Sequence, residues 1–290
     1  MKTLQRSCFA VALILLVCTP ALADPALWTI KSPTATIYLF GTVHVLPKDM
    51  RWHYPALGDA LSASDKLYVE EDDDDPLTMQ MLVMKYGMDL QHPLSDRLDA
   101  TDRARLDSAA KDSGVMGGAA TLDAMKPWLA ALTIAVAPIV KAGYDPKSGA
   151  DKQLERAFKA AGKPVGAFES AEEQIRFFAE LPDSLQMDLL CNALDEYAEG
   201  PQQVKALIED WQAGDTTAIA KVVNGGMQKH YPDLYKVLLV DRNRNWAKQI
   251  VALLNQHATI FVAVGAGHLA GADSVQAQLA KLGIASERVH

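Results

Sequence analysis

Cysteine is scarce in this sequence, which contains three cysteines among its 290 residues. Cys8 and Cys18 lie in an apolar stretch at the start, and Cys191 is the one cysteine beyond it. A lone cysteine cannot form an internal disulfide, so the chain after this stretch must be held together by its hydrophobic core. The residues around Cys191 follow an apolar helical pattern, which predicts a buried thiol and not a nucleophile.

The apolar stretch at the start has the three parts of a secretory signal peptide. Lys2 and Arg6 give it a positive beginning, residues 8–18 are apolar, and residues 20–23 end in a small-x-small cleavage pattern. This pattern predicts export, with cleavage on the carboxyl side of Ala23.

Cleavage there would leave a chain that begins at Asp24, and we expect this chain in the periplasm. The apolar run is too short for a comfortable membrane span. Val17 is bulky where a lipoprotein signal normally has a small residue, which argues against lipidation of Cys18. We therefore expect no stable membrane insertion after cleavage.

The sequence also lacks positive charge and long uncharged runs. Its formal net charge is −8, and removal of Lys2 and Arg6 would bring it to about −10. Such an acidic balance argues against nucleic acid or anionic lipid as the main partner. The longest uncharged run after the start, residues 127–140, is shorter than a membrane span and predicts an alanine-rich buried helix. Residues 24–290 are numerous enough for one large domain.

Signatures of several common enzyme classes are missing. The sequence contains no G-x-S-x-G elbow, no H-E-x-x-H, no P-loop and no complete G-x-G-x-x-G. The segment Gly265–Gly267 is only the first half of a dinucleotide fingerprint. A recognisable serine hydrolase, zincin, nucleotide hydrolase or nicotinamide enzyme is therefore not indicated.

What is present is an alternation of strand and helix patterns. Four apolar segments have the length and residue types of buried strands, namely 37–40, 66–69, 164–168 and 260–264. Helical patterns separate them, so we predict an α/β fold with a largely parallel central sheet flanked by helices. Residues 28–30 are expected to form a hairpin with the first of these strands, and residues 285–289 an edge strand.

Two long stretches show no convincing strand pattern. Residues of about 76–147 and 174–231 read as successive helices. We expect both stretches to be helical insertions into a single domain, covering the carboxyl edge of the sheet.

Two histidines occur in matching contexts near opposite ends of the chain. His44 and His268 each come three residues after a glycine that ends an apolar strand pattern, at Gly41 and Gly265. Ligands of open α/β sheets bind at the carboxyl ends of the strands. The two imidazoles are therefore candidate metal ligands or general bases in one shared cleft.

Two glutamates also follow predicted strands directly. Glu70 and Glu169 should emerge at the same sheet edge as the histidines. A carboxylate after a strand often caps the next helix, but Ser170 and Glu173 already form a capping-box pattern. Glu169 is thus left for another role, and both glutamates are candidate catalytic residues.

Other charged residues are less specific. Arg242 lies near the start of the last long helix pattern, from which an arginine could pair with a glutamate or bind an oxyanion. Asp151 opens a helix pattern, where N-capping is its expected role. Residues 72–75 lack the glycine and terminal glutamate of an EF-hand loop, and we expect a solvated acidic loop with Asp75 at a helix start.

Taken together, these segments resemble the TraB/GumN/Tiki family. The matching segments, in chain order, are Tyr38–His44, Leu67–Glu70, Gly149–Leu154, Gly162–Glu169 with Gln174, Arg242–Asn243 and Val262–Gly271. Their order and spacing cover nearly the whole chain after residue 23. Ala167-Phe168 stands where the family often has a glycine-leucine pair, and this change leaves the carboxylate of Glu169 in place.

The resemblance implies a fold similar to the erythromycin-esterase and ChaN-like superfamily. It also implies a cleft formed by two G-x-x-H motifs with glutamates and an arginine. The animal Tiki members are metal-dependent proteases in which manganese or cobalt is implicated. Most bacterial GumN-like members have no assigned activity, so the resemblance specifies a site more closely than a substrate.

The leading hypothesis is an exported, metal-dependent peptidase-like hydrolase acting on a peptide or small-molecule substrate. His44, His268 and Glu70 would hold a divalent ion, for which Mn, Co, Zn and Fe are all chemically suitable. Glu169 would be the general base, and Arg242 would stabilise the oxyanion. The alternatives are a metal-independent esterase-like hydrolase and a non-enzymatic haem- or ligand-binding protein. The oligomeric state stays open.

Overall fold

A mixed sheet of six strands organises the computed structural model, which describes residues 24–71 and 75–289. The strands are β1 (Leu27–Lys31), β2 (Thr36–Thr42), β3 (Lys66–Glu71), β4 (Val165–Glu169), β5 (Thr259–Gly265) and β6 (Glu287–Arg288). Their order across the sheet is β4-β3-β5-β2-β1-β6. The expected signal peptide and Asp72–Asp74 lie outside the described residues.

The four strands that precede candidate site residues are mutually parallel. β4 pairs with β3, β3 with β5, and β5 with β2, all in parallel register, whereas β1 runs antiparallel to β2 and to β6. The predicted hairpin, the predicted edge strand and the largely parallel sheet are therefore confirmed. The parallel pairing brings the carboxyl ends of β2, β3, β4 and β5 to one edge.

The helices lie around this sheet. They are α1 (Pro55–Ala63), α2 (Pro76–Gly87), α3 (Ala100–Ser113), α4 (Ala119–Asp123), α5 (Pro127–Lys141), α6 (Ala150–Ala160), α7 (Ala171–Ala179), α8 (Asp183–Asp195), α9 (Gly200–Gln212), α10 (Thr216–Ile219), α11 (Gly226–His230), α12 (Pro232–Tyr235), α13 (Arg242–Leu253) and α14 (Val275–Lys281). Two π-helical segments, Ala220–Gly225 and Lys236–Asp241, join α10 to α11 and α12 to α13.

Both faces of the central strands are buried, which explains their nearly continuous apolar sequences. In β5, Phe261 and Ala263 face a core shared with α1, α6 and α9, while Ile260 and Val262 face a core shared with α13 and α14. Each of these four residues is at most 1% exposed. The strand is therefore enclosed on both faces, and polar groups are confined to its ends.

The long stretches between the strands are helical. In residues 76–147 the structure has α2 to α5, and in residues 174–231 it has most of α7 and then α8 to α11. Helices α3, α4, α5 and α8 form a core of their own, which includes Leu106 and Leu190. Asp75 caps α2 and Ser170 with Glu173 forms the capping box of α7, as the sequence predicts.

Helices of the second stretch lie over the carboxyl edge of the sheet. Trp211 of α9 donates from Nε1 to the carbonyl of Gly41 at 2.7 Å, directly at the end of β2. Asn224, in the first π-helical segment, donates from Nδ2 to the carbonyls of Gly267 and Ala270 at 3.1 and 2.9 Å. These bonds fasten the covering helices to the loops that leave β2 and β5.

Cys191 is half-buried and not fully buried, with Sγ 3.6 Å from Asp102 Oδ2. Burial and this acidic neighbour raise the pKa of its thiol, which disfavours the nucleophilic thiolate. Within the described residues, no helix is long and apolar enough to cross a bilayer.

Candidate functional site

The predicted site residues meet at the carboxyl edge of the parallel strands. Glu70 and Glu169 are at the ends of β3 and β4, His44 follows β2, and His268 follows β5. The structure brings all four, together with Arg242 of α13, into one region. Their proximity follows from the parallel register, because four separate chain segments end at the same level of the sheet.

Arg242 is the hub of the ionic contacts. Its guanidinium donates from Nε and Nη2 to Glu169, at 3.0 to Oε1 and 2.8 Å to Oε2 respectively, and from Nη2 to Glu70 Oε2 at 2.7 Å. The guanidinium carbon lies 4.7 Å from the centre of the Trp246 ring. Burial alone would lower the pKa of Arg242, but the two carboxylates raise it, so the guanidinium stays charged.

Glu169 is enclosed more completely than its position after a strand suggests. Its side chain is 4% exposed, and besides Arg242 it accepts from Trp246 Nε1 at 2.8 Å and from Gln174 Nε2 at 3.3 Å. Burial raises the pKa of this carboxyl above its usual value despite the ion pair. The contacts describe a carboxylate that anchors Arg242 inside the protein.

Glu70 lies closer to the histidines. Its Oε1 accepts from the backbone N–H of Gly265 at 2.6 Å and is 3.8 Å from His268 Nε2. Burial would raise the pKa of Glu70, but His268, Arg242 and His44 outweigh it and lower the pKa to about 2. Glu70 is thus an ionised carboxylate at all ordinary pH values.

His268 is buried, and its hydrogen bonds define its tautomer. Nε2 lies 3.3 Å from Arg242 Nη1, a group that can only donate, so Nε2 is the acceptor. Nδ1 then carries the proton and donates to Asn243 Oδ1 at 2.6 Å. Asn243 is itself oriented by donating to the carbonyl of Asp273 at 2.8 Å. Burial lowers the pKa of His268 to about 3, so the imidazole is neutral with its Nε2 lone pair directed into the site.

His44 occupies the solvent side of the cleft, with 58% of its side chain exposed. Its loop is fastened to the start of α6, because Ala150 N–H donates to the Val43 carbonyl at 2.9 Å. Gly149 allows this approach, since a Cβ at that position would lie 2.4 Å from the carbonyl oxygen of His44.

The expected capping role of Asp151 is wrong. Gly149 is the N-cap of α6, and Asp151 instead directs Oδ2 at His44 Nδ1, 3.2 Å away. Desolvation opposes the charged imidazole, but the carboxylates of Asp151 and Glu70 raise the pKa of His44 above its usual value. Water screens this attraction because the ring is largely exposed. Asp151 therefore orients His44 and favours its protonated form.

Gly265 lies at the point where these groups converge. A Cβ on this residue would be 3.1 Å from both Glu70 Oε1 and His44 Nε2, and 3.7 Å from His268 Cδ2. The two imidazoles and the carboxylate of Glu70 thus surround a space that only glycine leaves open. Within residues 24–71 and 75–289, no three or more His, Cys, Asp and Glu side chains form a ready-made metal cluster.

Two cavities have His44 in their lining. The first, the polar recess, has a volume of about 220 Å³ and is lined by Thr42, Glu71, Asp151, Lys152, Glu155 and Gln174 in addition to His44 and Glu70. The second, the apolar chamber, has a volume of about 410 Å³ and is lined by Val43, Leu207, Val223, Met227, Leu238 and Leu239 in addition to His44, Arg242 and His268. Each cavity is thus lined by some of the reactive groups, and the two cavities differ in chemistry.

The structure adds residues to the site that sequence reasoning gave no role. The sequence indicates Asn243 only as part of the Arg242–Asn243 segment that resembles the family, and Trp246 belongs to none of the matching segments. Trp246 is four residues beyond Arg242, a spacing that puts two side chains on one face of a helix. That spacing could have identified it, whereas no local pattern indicates that Asn243 reaches His268.

Comparison with known proteins gives results consistent with this architecture. The model of the TraB/PrgY/gumN family matches residues 26–288. An uncharacterised protein of Treponema pallidum (strain Nichols) is 23% identical, over 86% of this chain and 78% of its own. Uncharacterised protein YbaP of Escherichia coli (strain K12) is 27% identical, over 81% of this chain and 84% of its own.

A third relative carries a functional name. The metalloprotease TIKI homolog of Amphimedon queenslandica is 25% identical, over 91% of this chain and 61% of its own. This chain therefore spans less than two thirds of that relative. No solved structure matches the chain.

Proposed function

Because this chain belongs to the TraB/PrgY/gumN family, we propose that it is a metal-dependent hydrolase that acts where His44, His268 and Glu70 meet. The observation that carries the proposal is the orientation of the two imidazoles. Each directs Nδ1 at a side-chain oxygen, of Asp151 or Asn243, and turns its other edge toward Glu70 and Gly265. Orienting acceptors of this kind stand behind most metal-ligating histidines.

The donor set fits a divalent ion of intermediate hardness. Two imidazole nitrogens and a carboxylate oxygen suit Mn, Co, Fe or Zn and do not select among them. Glu70 is already ionised and His268 already neutral, so two of the three donors are in the ligating form. His44 has to lose its proton before its ring nitrogen can ligate the ion, which makes metal binding dependent on pH.

A bound divalent ion would supply a Lewis acid for the scissile carbonyl and acidify the attacking water. The residues of the chain have separate tasks. Glu70 Oε1 faces the imidazoles and would be the carboxylate oxygen that holds the ion, because Oε2 accepts from Arg242 Nη2. Glu169, suggested above as the general base, is better suited to holding Arg242, since its two oxygens accept from four N–H groups.

Arg242 is suited to stabilising negative charge on the substrate. Its Nε and Nη2 groups are committed to the two glutamates, and Nη1 donates to the Leu238 carbonyl and toward His268 Nε2. If His268 Nε2 binds an ion, the Nη1 hydrogen directed at it becomes available to an oxyanion. Such a preoriented donor typically contributes about 10²–10³ in rate.

One observation favours a second candidate, hydrolysis without a metal. Arg242 lies within 3.3 Å of His268 Nε2 and bonds Glu70 at 2.7 Å, so a cation already neutralises the carboxylate that a metal would use. In this scheme the Glu70–His268 pair activates water directly, and Arg242 remains the oxyanion donor.

The substrate we propose is a peptide, on the basis of the TIKI relative's name. The export pattern of residues 1–23 supports action in the periplasm, with Asp24 as the mature amino terminus. Mass spectrometry of the protein from periplasmic extract should give a chain beginning at Asp24. A retained Cys18 carrying a lipid would replace this with a membrane-anchored form.

The deciding experiment combines metal analysis with a peptide-library assay. The purified wild-type chain should bind about one Mn²⁺ or Zn²⁺ per molecule, lose hydrolysis on chelation and regain it on metal addition. His268→Asn should lose both metal and activity, and His257→Asn, at an exposed imidazole outside the site, should keep both. Full activity after exhaustive chelation would favour the metal-independent scheme. No hydrolysis by the metal-loaded chain would count against a peptidase.

A further inference from the structure

The apolar chamber is continuous with the reactive groups. Its lining includes His44, Arg242 and His268. The other side chains of the wall are mainly aliphatic, and Leu207 and Leu239 are among them. Its volume of about 410 Å³ is well above the roughly 150 Å³ of a cavity that holds a benzene ring. A recess of this size beside a reaction centre is of the kind that ligands occupy.

The helices that form the chamber wall depart from α-helical geometry at the wall itself. Val223 belongs to the π-helical segment Ala220–Gly225, and Leu238 and Leu239 belong to the π-helical segment Lys236–Asp241. Segments of this kind are rare and occur frequently at functional sites. Two of them facing one chamber is an observation independent of its volume.

Both π-helical segments are also tied to the reactive residues. Asn224, next to Val223, donates to the carbonyl of Gly267 beside His268 at 3.1 Å. Leu238 accepts from Arg242 Nη1 at 3.2 Å through its carbonyl oxygen. An occupant of the chamber would therefore press on the same elements that hold His268 and Arg242.

We infer that the apolar chamber is a specificity pocket, which takes the uncharged aliphatic or aromatic side chain of the residue next to the bond that is cleaved. This inference rests on the proposed function for the bond and deepens it by naming the class of side chain. The one formal charge among the chamber residues named above, apart from the histidines, is Arg242, which is already paired with Glu70 and Glu169. A charged substrate side chain would lose its hydration there without gaining a partner.

The contrast with the polar recess gives the substrate a direction. The polar recess, which shares His44 with the chamber, presents Glu71, Asp151, Lys152 and Glu155. The chamber is the more apolar of the two cavities, so an apolar side chain should bind there in preference and have a defined position relative to the cleaved bond. Substrates with the apolar residue moved to the other side of the bond should be cleaved more slowly.

Two neighbouring valines supply a matched pair of variants. Val223 lines the chamber, whereas Val222 is 46% exposed in the same π-helical segment. Val223→Phe should fill the chamber and Val222→Phe should not. Val223→Ala, which enlarges the chamber, serves as a second variant if Val223→Phe unfolds, and thermal melting identifies that case.

Hydrolysis of a peptide series with Gly, Ala, Leu, Phe or Asp at one position provides the first measurement. For the wild type, kcat/KM should rise from Gly to Leu by about tenfold or more, with Asp the poorest. Val223→Phe should remove this preference mainly through KM, Val223→Ala should shift it toward Phe, and Val222→Phe should keep it. Equal kcat/KM for Gly, Leu and Asp, or equal effects of the two Phe variants, would overturn the specificity pocket.

Direct binding separates this inference from the proposed function. Ligand-observed NMR should detect N-acetyl-leucinamide on the wild type and on Val222→Phe, with weaker binding to Val223→Phe and none of N-acetyl-glycinamide. If this pattern holds while no peptide is hydrolysed, the chamber is supported and the hydrolase is not. If leucinamide does not bind the wild type, the chamber proposal fails whatever the activity.

Discussion

Asn243 Oδ1 and His268 Nδ1 are 2.6 Å apart, and this contact decides which face of the imidazole the cleft sees. The proton on Nδ1 is directed at the amide, so the lone pair of Nε2 is directed at Arg242 and Glu70. A residue one position after Arg242 on α13 thereby controls the chemistry of a histidine that follows β5.

Asn243→Leu should cut Mn²⁺ affinity and hydrolysis by about 10–100-fold, because the His268 tautomer would no longer be fixed. Asn243→Asp should retain more of both, since a carboxylate oxygen can still accept from Nδ1. Calorimetric titration with Mn²⁺ and kinetics on the same samples give the two numbers. Asn255→Leu, at an exposed position beyond the end of the same helix, is the control. Identical behaviour of the Asn243 and Asn255 variants would remove Asn243 from the site.

Arg242→Met should destabilise the fold by about 3–5 kcal/mol, because it leaves the carboxylates of Glu70 and Glu169 buried without a cation. Arg242→Lys should recover part of this, since an ammonium cannot reproduce the two-pronged contact with Glu169. Urea unfolding provides the measurement. Arg244→Met removes an arginine whose side chain is 54% exposed and should change stability by less than about 0.5 kcal/mol. A similarly small effect at Arg242 would show that its ion pairs contribute nothing.

The free energy of unfolding should decrease as the pH is lowered, because of His268. Its pKa in the fold is about 3, below the ordinary value of about 6.5. Between those values the unfolded chain binds a proton at this imidazole and the folded chain does not, so the free energy of unfolding decreases as pH falls. The contribution reaches about 1.4 kcal/mol per pH unit.

Urea unfolding at pH 6 and pH 5 would measure this slope. His268→Gln should have a smaller slope than the wild type, because it lacks the titrating ring while all carboxyl groups are unchanged. His257→Gln, at an exposed imidazole, should keep the wild-type slope. Equal slopes for all three proteins would mean that His268 is protonated in the fold.

The affinity for metal should also depend on pH, through His44, because a proton on this imidazole prevents it from ligating an ion. Its pKa lies above the usual value beside Asp151, so a proton competes with the metal at neutral pH. Mn²⁺ affinity of the wild type should therefore rise as pH increases from 6 to 8. Asp151→Asn should weaken this dependence, since the imidazolium loses its nearest carboxylate. An affinity independent of pH would take His44 out of the ligand set.

The acidic run offers a negative control for the metal site. Replacing Asp72, Asp73 and Asp74 with asparagine should leave bound metal and melting temperature nearly unchanged, because we expect these residues to be solvated. Elemental analysis after dialysis gives the metal content. A large loss of metal would move the ligand set to this loop and away from His44 and His268.

The alternation of strands and helices could be predicted because it depends on local hydrophobic patterns. β2 and β5 are buried on both faces over most of their length, so their sequences are largely apolar and end at a threonine and a glycine respectively. The grouping of His44, Glu70, Glu169 and His268 follows from one rule, that parallel strands share a carboxyl edge. Their grouping could therefore be predicted without knowledge of side-chain packing.

Contacts between side chains of distant segments could not be predicted in this way. Asp151 has an ordinary helix-start pattern, and only the folded loop before α6 brings it to His44. The enclosure of Glu169 by Trp246 and Gln174 likewise depends on how α7 and α13 pack on the sheet. Glu70 and Glu169 therefore differ in how completely they are enclosed, although in the sequence both simply follow a strand.

The number of residues in the π-helical segment Lys236–Asp241 determines how the side chains of this segment are rotated relative to Arg242. The segment accommodates one more residue per turn than an α-helix of the same span would. A single-residue deletion there would restore α-helical hydrogen bonding but rotate Leu238 relative to Arg242 by about 100°. Point substitutions preserve that phase and length changes do not. Among natural variants of this protein, we therefore expect substitutions in this segment to be tolerated far more often than insertions or deletions.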